Sequence, residues 1–148
     1  MIAATGGCAC GRVRFVATDV GDEAYLCHCR MCQRAVGSVS VAFVTLPKAN
    51  VRWDGEPDWY ASSPIAQRPF CARCGTSLGF AYTDSDRMDL TVAAFDNPRA
   101  FRCTAHFGVE SRLDAWWHGT EGLPETRADG YASLQQRWRD AGATPPAA

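Results

Sequence analysis

Hydrophobic and polar positions alternate along this chain in short runs, mostly with the period of two that marks half-buried strands. Over residues 11–18, Val13 and Phe15 alternate with Arg12 and Arg14. Residues 23–27 and 38–46 follow the same rule, the second with Val39, Val41 and Phe43 on one face. Further strands are predicted over 51–53, 58–61, 67–70, 77–82, 88–93 and 104–109. Turn formers separate them: Asp54-Gly55-Glu56-Pro57, Ser62-Ser63-Pro64, Thr83-Asp84-Ser85-Asp86 and Asn97-Pro98. Regularly spaced short strands predict an all-β sandwich or barrel-like domain.

Two segments carry a helical period instead. Residues 30–36 predict a short helix directly after a cysteine cluster, stopped by Gly37. Near the end, Asp129 is the expected cap of a helix over 130–141, with Tyr131, Leu134 and Trp138 on one face packing against the sheet. Pro145-Pro146 marks 143–148 as a flexible tail, so 1–142 is expected to be one domain. At 148 residues the chain is long enough to bury a real core.

Charge narrows the function classes. The formal net charge is −1 and the basic residues form no run, which argues against a nucleic-acid partner. The first residues lack a basic segment followed by an apolar one, and no apolar run approaches the roughly 20 residues of a membrane span. The expected compartment is therefore the cytoplasm.

That expectation bears on the eight cysteines, because clustered thiols in a reducing compartment point to metal rather than to disulfides. Seven of them fall into three clusters: Cys8-Ala9-Cys10 before Gly11, Cys27-His28-Cys29-Arg30-Met31-Cys32, and Cys71-Ala72-Arg73-Cys74 before Gly75. Cysteines two or three apart on a turn aim both sulfurs at one point, and zinc takes four such ligands tetrahedrally. Two pairs make a closed, structural site. The remaining cluster, Cys27, Cys29 and Cys32, offers three ligands and leaves a position open, as catalytic sites do. A tri-thiolate zinc suits a soft ligand such as a thiol better than it suits hydroxide generation. Closure of the triplet by His28, His106 or Cys103 would make both sites structural, and disulfides in place of zinc are the other alternative.

These motifs resemble the glutathione-dependent formaldehyde-activating enzyme family, which includes the domain of centromere protein V. The likeness rests on Gly7-Cys8-x-Cys10-Gly11, Cys27-His28-Cys29-x-x-Cys32-Gln33-Arg34 and Phe70-Cys71-x-x-Cys74-Gly75-Thr76-x-Leu78. It continues through His106-Phe107-Gly108-Val109-Glu110-Ser111-Arg112 and Gly122-Leu123-Pro124. The resemblance implies a mainly β fold, a β-tent of stacked antiparallel sheets with zinc knuckles. It implies two zinc ions per chain: a structural one on Cys8, Cys10, Cys71 and Cys74, and a second on Cys27, Cys29 and Cys32 where a glutathione sulfur binds. Cys103 and Ala115-Trp116-Trp117-His118 depart from the family pattern, the second in a way that reshapes the pocket.

The expected activity is that of a zinc-dependent carbon–sulfur lyase or synthase. It would act on a glutathione-type thiol and a small aldehyde, through an S-hydroxymethylglutathione-like adduct. The tri-cysteine cluster is its catalytic centre, with His106 as proton shuttle, although His106 reads equally as a satisfied strand histidine. Arg30, Gln33 and Arg34 on the short helix are the candidate substrate contacts, with Trp116 as an apolar wall. The expected partners are small molecules, not nucleic acid or membrane, with a homodimer left open. The rival readings are a non-catalytic zinc module for a protein partner and a redox enzyme using Cys103, as in methionine sulfoxide reductases of the B type.

Overall fold

The computed structural model describes residues 2–145, and the chain divides into two compact units, one up to Leu113 and one from Asp114 on. In chain order the first unit carries β1 (Ile2–Gly7), β2 (Arg14–Val20), β3 (Glu23–Cys27), helix α1 (Arg30–Val36), β4 (Val41–Pro47) and β5 (Val51–Asp54). It continues with β6 (Asp58–Ser63), β7 (Ala66–Phe70), β8 (Gly79–Tyr82), β9 (Arg87–Thr91) and β10 (Arg102–Phe107). A three-stranded sheet has the order β1-β2-β5, and a seven-stranded sheet the order β10-β3-β4-β9-β8-β7-β6. The fold is mainly β with two sheets, as expected. Among the described residues every strand pairing is antiparallel except that of β10, which runs parallel to β3.

The alternation along β4 and β9 explains how one sheet makes both a core and a site. Val44 and Leu46 on β4, with Met88 and Leu90 on β9, join Phe15, Leu78 and Phe95 in the main core. The opposite parity, Val41 and Phe43 on β4, packs in a second cluster with Cys27 and Cys32. Phe15 anchors the three-stranded sheet to that core, edge-on to Trp53 and Phe95 with ring centres 5.7 and 5.1 Å away. Central strands buried on both faces read as continuous apolar runs, which is why only one face of the 38–46 segment showed an alternation.

Strand 23–27 and helix 30–36 stand where the sequence predicts them, and most other bounds move by one to three residues. The 88–93 strand ends early because Val92–Ala94 turns into a 3-10 helix. Strand β1 was not anticipated.

The second unit holds 3-10 turns at Asp114–Trp116 and Ala128–Gly130 and helix α2 (Ala132–Asp140). The expected cap is corrected: Tyr131 precedes the helix without a side-chain bond, because the Asp129 carboxylate is taken by Arg127. Of the expected tail, 146–148 lie outside the described residues. No helix among the described residues is long and apolar enough to cross a membrane.

Candidate functional site

Two cysteine groups form, with the membership that the clusters predict: Cys8, Cys10, Cys71 and Cys74, and separately Cys27, Cys29 and Cys32. Within each group the sulfurs all lie within 4.8 Å of one another.

The first group is built by two hairpin knuckles. Between β1 and β2, Cys8 N–H donates to Val13 O at 2.9 Å and Gly11 N–H to Cys8 O at 3.1 Å. Between β7 and β8, Cys71 N–H donates to Thr76 O at 3.0 Å and Gly75 N–H to Cys71 O at 2.7 Å. Gly11 and Gly75 adopt the left-handed conformation, at φ +78° and +80°. The knuckles are tied to each other, for Ala9 N–H donates to Thr76 Oγ1 and Arg12 Nε donates to Cys71 Sγ. Arg12 also pairs with Asp58, which accepts from Ala72 N–H at 2.7 Å. That backbone N–H, with the Arg12 guanidinium, holds the Asp58 carboxyl below its ordinary range. Cys74 is pulled down to about 5 by its hydrogen bonds with Thr76.

The donor set fits a thiophilic ion. Cys8 and Cys10 sulfurs are 3.6 Å apart, and Cys10 and Cys71 sulfurs 3.7 Å. A disulfide needs about 2.05 Å. A tetrahedron with zinc–sulfur bonds of about 2.3 Å has edges of about 3.8 Å. The observed spacing is too long for a disulfide and could hold such an ion.

In the second group Cys27 ends β3, Cys29 caps helix α1 by accepting from Cys32 N–H at 3.4 Å, and Cys32 lies in the first turn. Cys32 is held down to about 5, first by the hydrogen bond from the Cys27 thiol and then by Arg68, whose Nη2 donates to its sulfur at 3.4 Å. Cys27 moves the other way, because it keeps the proton the pair shares. Three thiols, one already biased to thiolate, are a ligand set for the same kind of ion. Among the described residues the group comprises these three sulfurs. His28 is buried, its Nε2 2.9 Å from His106 Nδ1 with the rings stacked, and Cys103 is exposed with its sulfur against Ala105 O.

The triplet opens into a cavity of about 640 Å³ on the site face of the seven-stranded sheet. Its walls include Met31, Phe43, Phe80, Tyr82, His106 and Phe107, and its polar groups come from Arg68, Arg87, Thr45, Tyr25 and Asp89. Tyr25 Oη donates to Asp89 Oδ2 at 2.8 Å and Thr45 Oγ1 donates to Oδ1. Burial raises the Asp89 carboxyl, against the pull of those two hydroxyls. Stability carried by that proton is full below the unfolded value, near 3.9, and is lost as pH rises through the folded one. Asp89→Asn is therefore expected to gain stability relative to the wild type as pH increases above that value. Urea midpoints of both proteins across pH test this, because the difference cancels the cysteines' own pH dependence. A gap that stays constant with pH would refute it.

The other sequence candidates fall as follows. His106 lines the cavity. Gln33 is buried, its amide donating to His28 O at 2.7 Å and Ser111 O at 3.1 Å while accepting from Arg30. Arg30 and Arg34 are exposed and neither lines the large cavity; Arg34 borders a second one of about 510 Å³ with Tyr60, Ser62 and Arg68. Trp116 belongs to the second unit, where it is exposed. The cavity cations Arg68 and Arg87 were not anticipated. The available signal was parity: Arg68 shares the buried face of β7 with Ala66.

Residues 3–111 match the family model described as glutathione-dependent formaldehyde-activating enzyme. The chain belongs to that family. An uncharacterized lyase of Schizosaccharomyces pombe is 37% identical over 79 residues, which are 53% of this chain. The chain spans only 58% of the length of that relative. A Rhodobacter sphaeroides protein, a structural-genomics target with a crystal structure, has a TM-score of 0.53 and 22% identity. That likeness covers 69% of this chain and 98% of the other, and it is one of fold.

Proposed function

We propose that this protein is a zinc-dependent carbon–sulfur lyase or synthase for a glutathione-type thiol and a small aldehyde. The observation that carries the reading is the contrast between the two cysteine groups: one is complete with four sulfurs, and the other has three and faces a cavity. Zinc on Cys27, Cys29 and Cys32 would supply Lewis acidity toward a thiol sulfur and favour its thiolate.

The chain's own residues do the rest. A cavity of about 640 Å³ is large enough for a peptide-sized thiol. Arg68 and Arg87 offer guanidinium groups for ligand carboxylates, and Phe43 and Phe80 give the reacting carbon an apolar wall. In the forward direction the ligand sulfur adds to the carbonyl carbon, the carbon–oxygen π bond opens, and the thiol proton ends on oxygen. The reverse breaks the same carbon–sulfur bond. His106, set by the 2.9 Å contact of its Nδ1 with His28 Nε2, is the group at the wall to carry that proton. A cytoplasmic location belongs to the same reading, since the eight cysteines are unpaired and a reducing compartment keeps them so.

Calorimetric titration of the zinc-loaded protein with glutathione, with S-methylglutathione as control, is the test. Binding of the free thiol alone, with proton release, is expected. Two metals per chain with no binding of either ligand would favour a non-catalytic zinc module.

A further inference from the structure

Arg68 is only 5% exposed, yet among the described residues no carboxylate lies within ion-pair distance of it. Its Nη2 donates to Cys32 Sγ, and the guanidinium stands over the Phe80 ring, 4.9 Å from the centre. Nε and Nη1 are buried with no acceptor. A desolvated guanidinium whose Nε and Nη1 protons make no hydrogen bond is costly, and the contact with the Cys32 sulfur offsets its charge without satisfying those donors. A fold keeps such a group where something else supplies the acceptors. The planar fork of arginine matches a carboxylate, which it takes with two parallel hydrogen bonds, here one from the second N–H of Nη2 and one from Nε or Nη1.

The position of Arg68 narrows what that carboxylate belongs to. It lines the same cavity as the three cysteines, and its Nη2 is 3.4 Å from one of their sulfurs. A ligand with its own sulfur at the triplet must therefore carry the carboxylate on a short tether. In a glutathione-type thiol the glycyl carboxylate is six bonds from sulfur and the γ-glutamyl carboxylate eight. Arg87 is remote from the cluster: it pairs with Pro47, six residues along β4 from Val41, the partner of Cys27.

We propose that Arg68 recognises a carboxylate close to the ligand's thiol, the glycyl carboxylate where the ligand is of the glutathione type. This rests on the thiol-site reading given above. Arg68 selects among thiols by their charge, and the cysteine cluster takes the sulfur.

The test titrates zinc-loaded wild type, Arg68→Gln and Arg68→Lys with glutathione and with its glycyl monoethyl ester. Wild type is expected to prefer the free acid by about tenfold or more, the worth of a charge-assisted pair. Arg68→Gln is expected to bind both ligands alike, at the level of the ester, with metal content unchanged. Arg68→Lys keeps the charge without the fork, retains only part of the preference, and serves if the glutamine variant fails to fold. Equal loss of both ligands in the variants would reduce Arg68 to a prop for Cys32 and overturn the assignment. So would a wild type that binds acid and ester equally. A wild type that binds neither thiol would instead sink the thiol-site reading itself, and this inference with it.

Discussion

Cys71→Ser is expected to abolish the fold, whereas Cys29→Ser removes one metal and leaves the fold standing. Cys71 is completely buried and belongs, with Cys8, to the main core around Phe15 and Leu78. Its group joins the β1–β2 knuckle of the three-stranded sheet to the β7–β8 knuckle of the seven-stranded one. Structural zinc in small domains is worth about 10–16 kcal/mol in apparent binding free energy. A whole domain has only about 5–15 kcal/mol of stability. Losing one of four ligands there removes more than the fold can spare. Cys29 is half-buried at the cavity, in the smaller cluster with Val41 and Phe43, and the sheets do not meet through it. Near-ultraviolet circular dichroism and metal content per chain separate the two cases. A Cys71→Ser protein that still unfolds cooperatively would show that the four-sulfur group is not what holds the sheets together. Collapse of Cys29→Ser would erase the division between a structural and a working site.

The two cysteine groups were legible in the sequence because sulfur spacing is local. Cysteines two or three apart on a turn are confined to one point whatever the rest of the chain does, so each knuckle follows from a short motif, while the joining of Cys8 and Cys10 with Cys71 and Cys74 was implied by the family resemblance. Helix 30–36 was legible for the same reason, its cap and its Gly37 stop lying within one short segment. Strand β1 was not, since Ala3, Ala4, Thr5, Gly6 and Gly7 carry no alternation. The structure gives the physical reason. A Cβ on Gly6 would lie 2.3 Å from both Ala94 O and the Phe15 ring, and one on Gly7 2.3 Å from Val13 O, so the end of this strand is glycine because its neighbours come so close. Small residues chosen for close approach leave no hydrophobic pattern to read.

The cavity was the least legible part. Tyr25, Thr45, Arg68 and Asp89 come from β3, β4, β7 and β9, and only the strand order of the seven-stranded sheet brings them to one face. Arg30 and Arg34 were the natural cation candidates because they adjoin the cysteines in sequence. On helix α1 both are exposed and neither lines the large cavity, while Arg68, far away in sequence, reaches Cys32 across the sheet. Adjacency along a chain is a good guide to metal ligands and a poor one to the rest of a pocket.

Gly108→Ala is expected to weaken the second metal site by about tenfold or more, for a loss of only about 1–2 kcal/mol in global stability, the cost of left-handed backbone in a residue with a Cβ. Gly108 follows β10 at φ +67°, and a Cβ there would lie 2.9 Å from Cys29 N and 3.2 Å from Cys29 Cβ. Those atoms belong to the helix cap, so they cannot move aside without carrying the Cys29 sulfur with them. Metal sites tolerate ligand displacements of only about 0.2 Å. A shift too small to unfold the sheet is thus large enough to spoil coordination. Gly37→Ala supplies the control: it is equally left-handed, at φ +65°, but nothing lies within 4 Å of its added Cβ. It is expected to carry the strain cost alone, with metal affinity intact. Competition of each variant with a zinc chelator, beside urea unfolding, measures both quantities. Equal metal affinity in the two alanine variants would show that Gly108 serves only the turn of the backbone, and that the Cys29 sulfur is placed by helix α1 unaided.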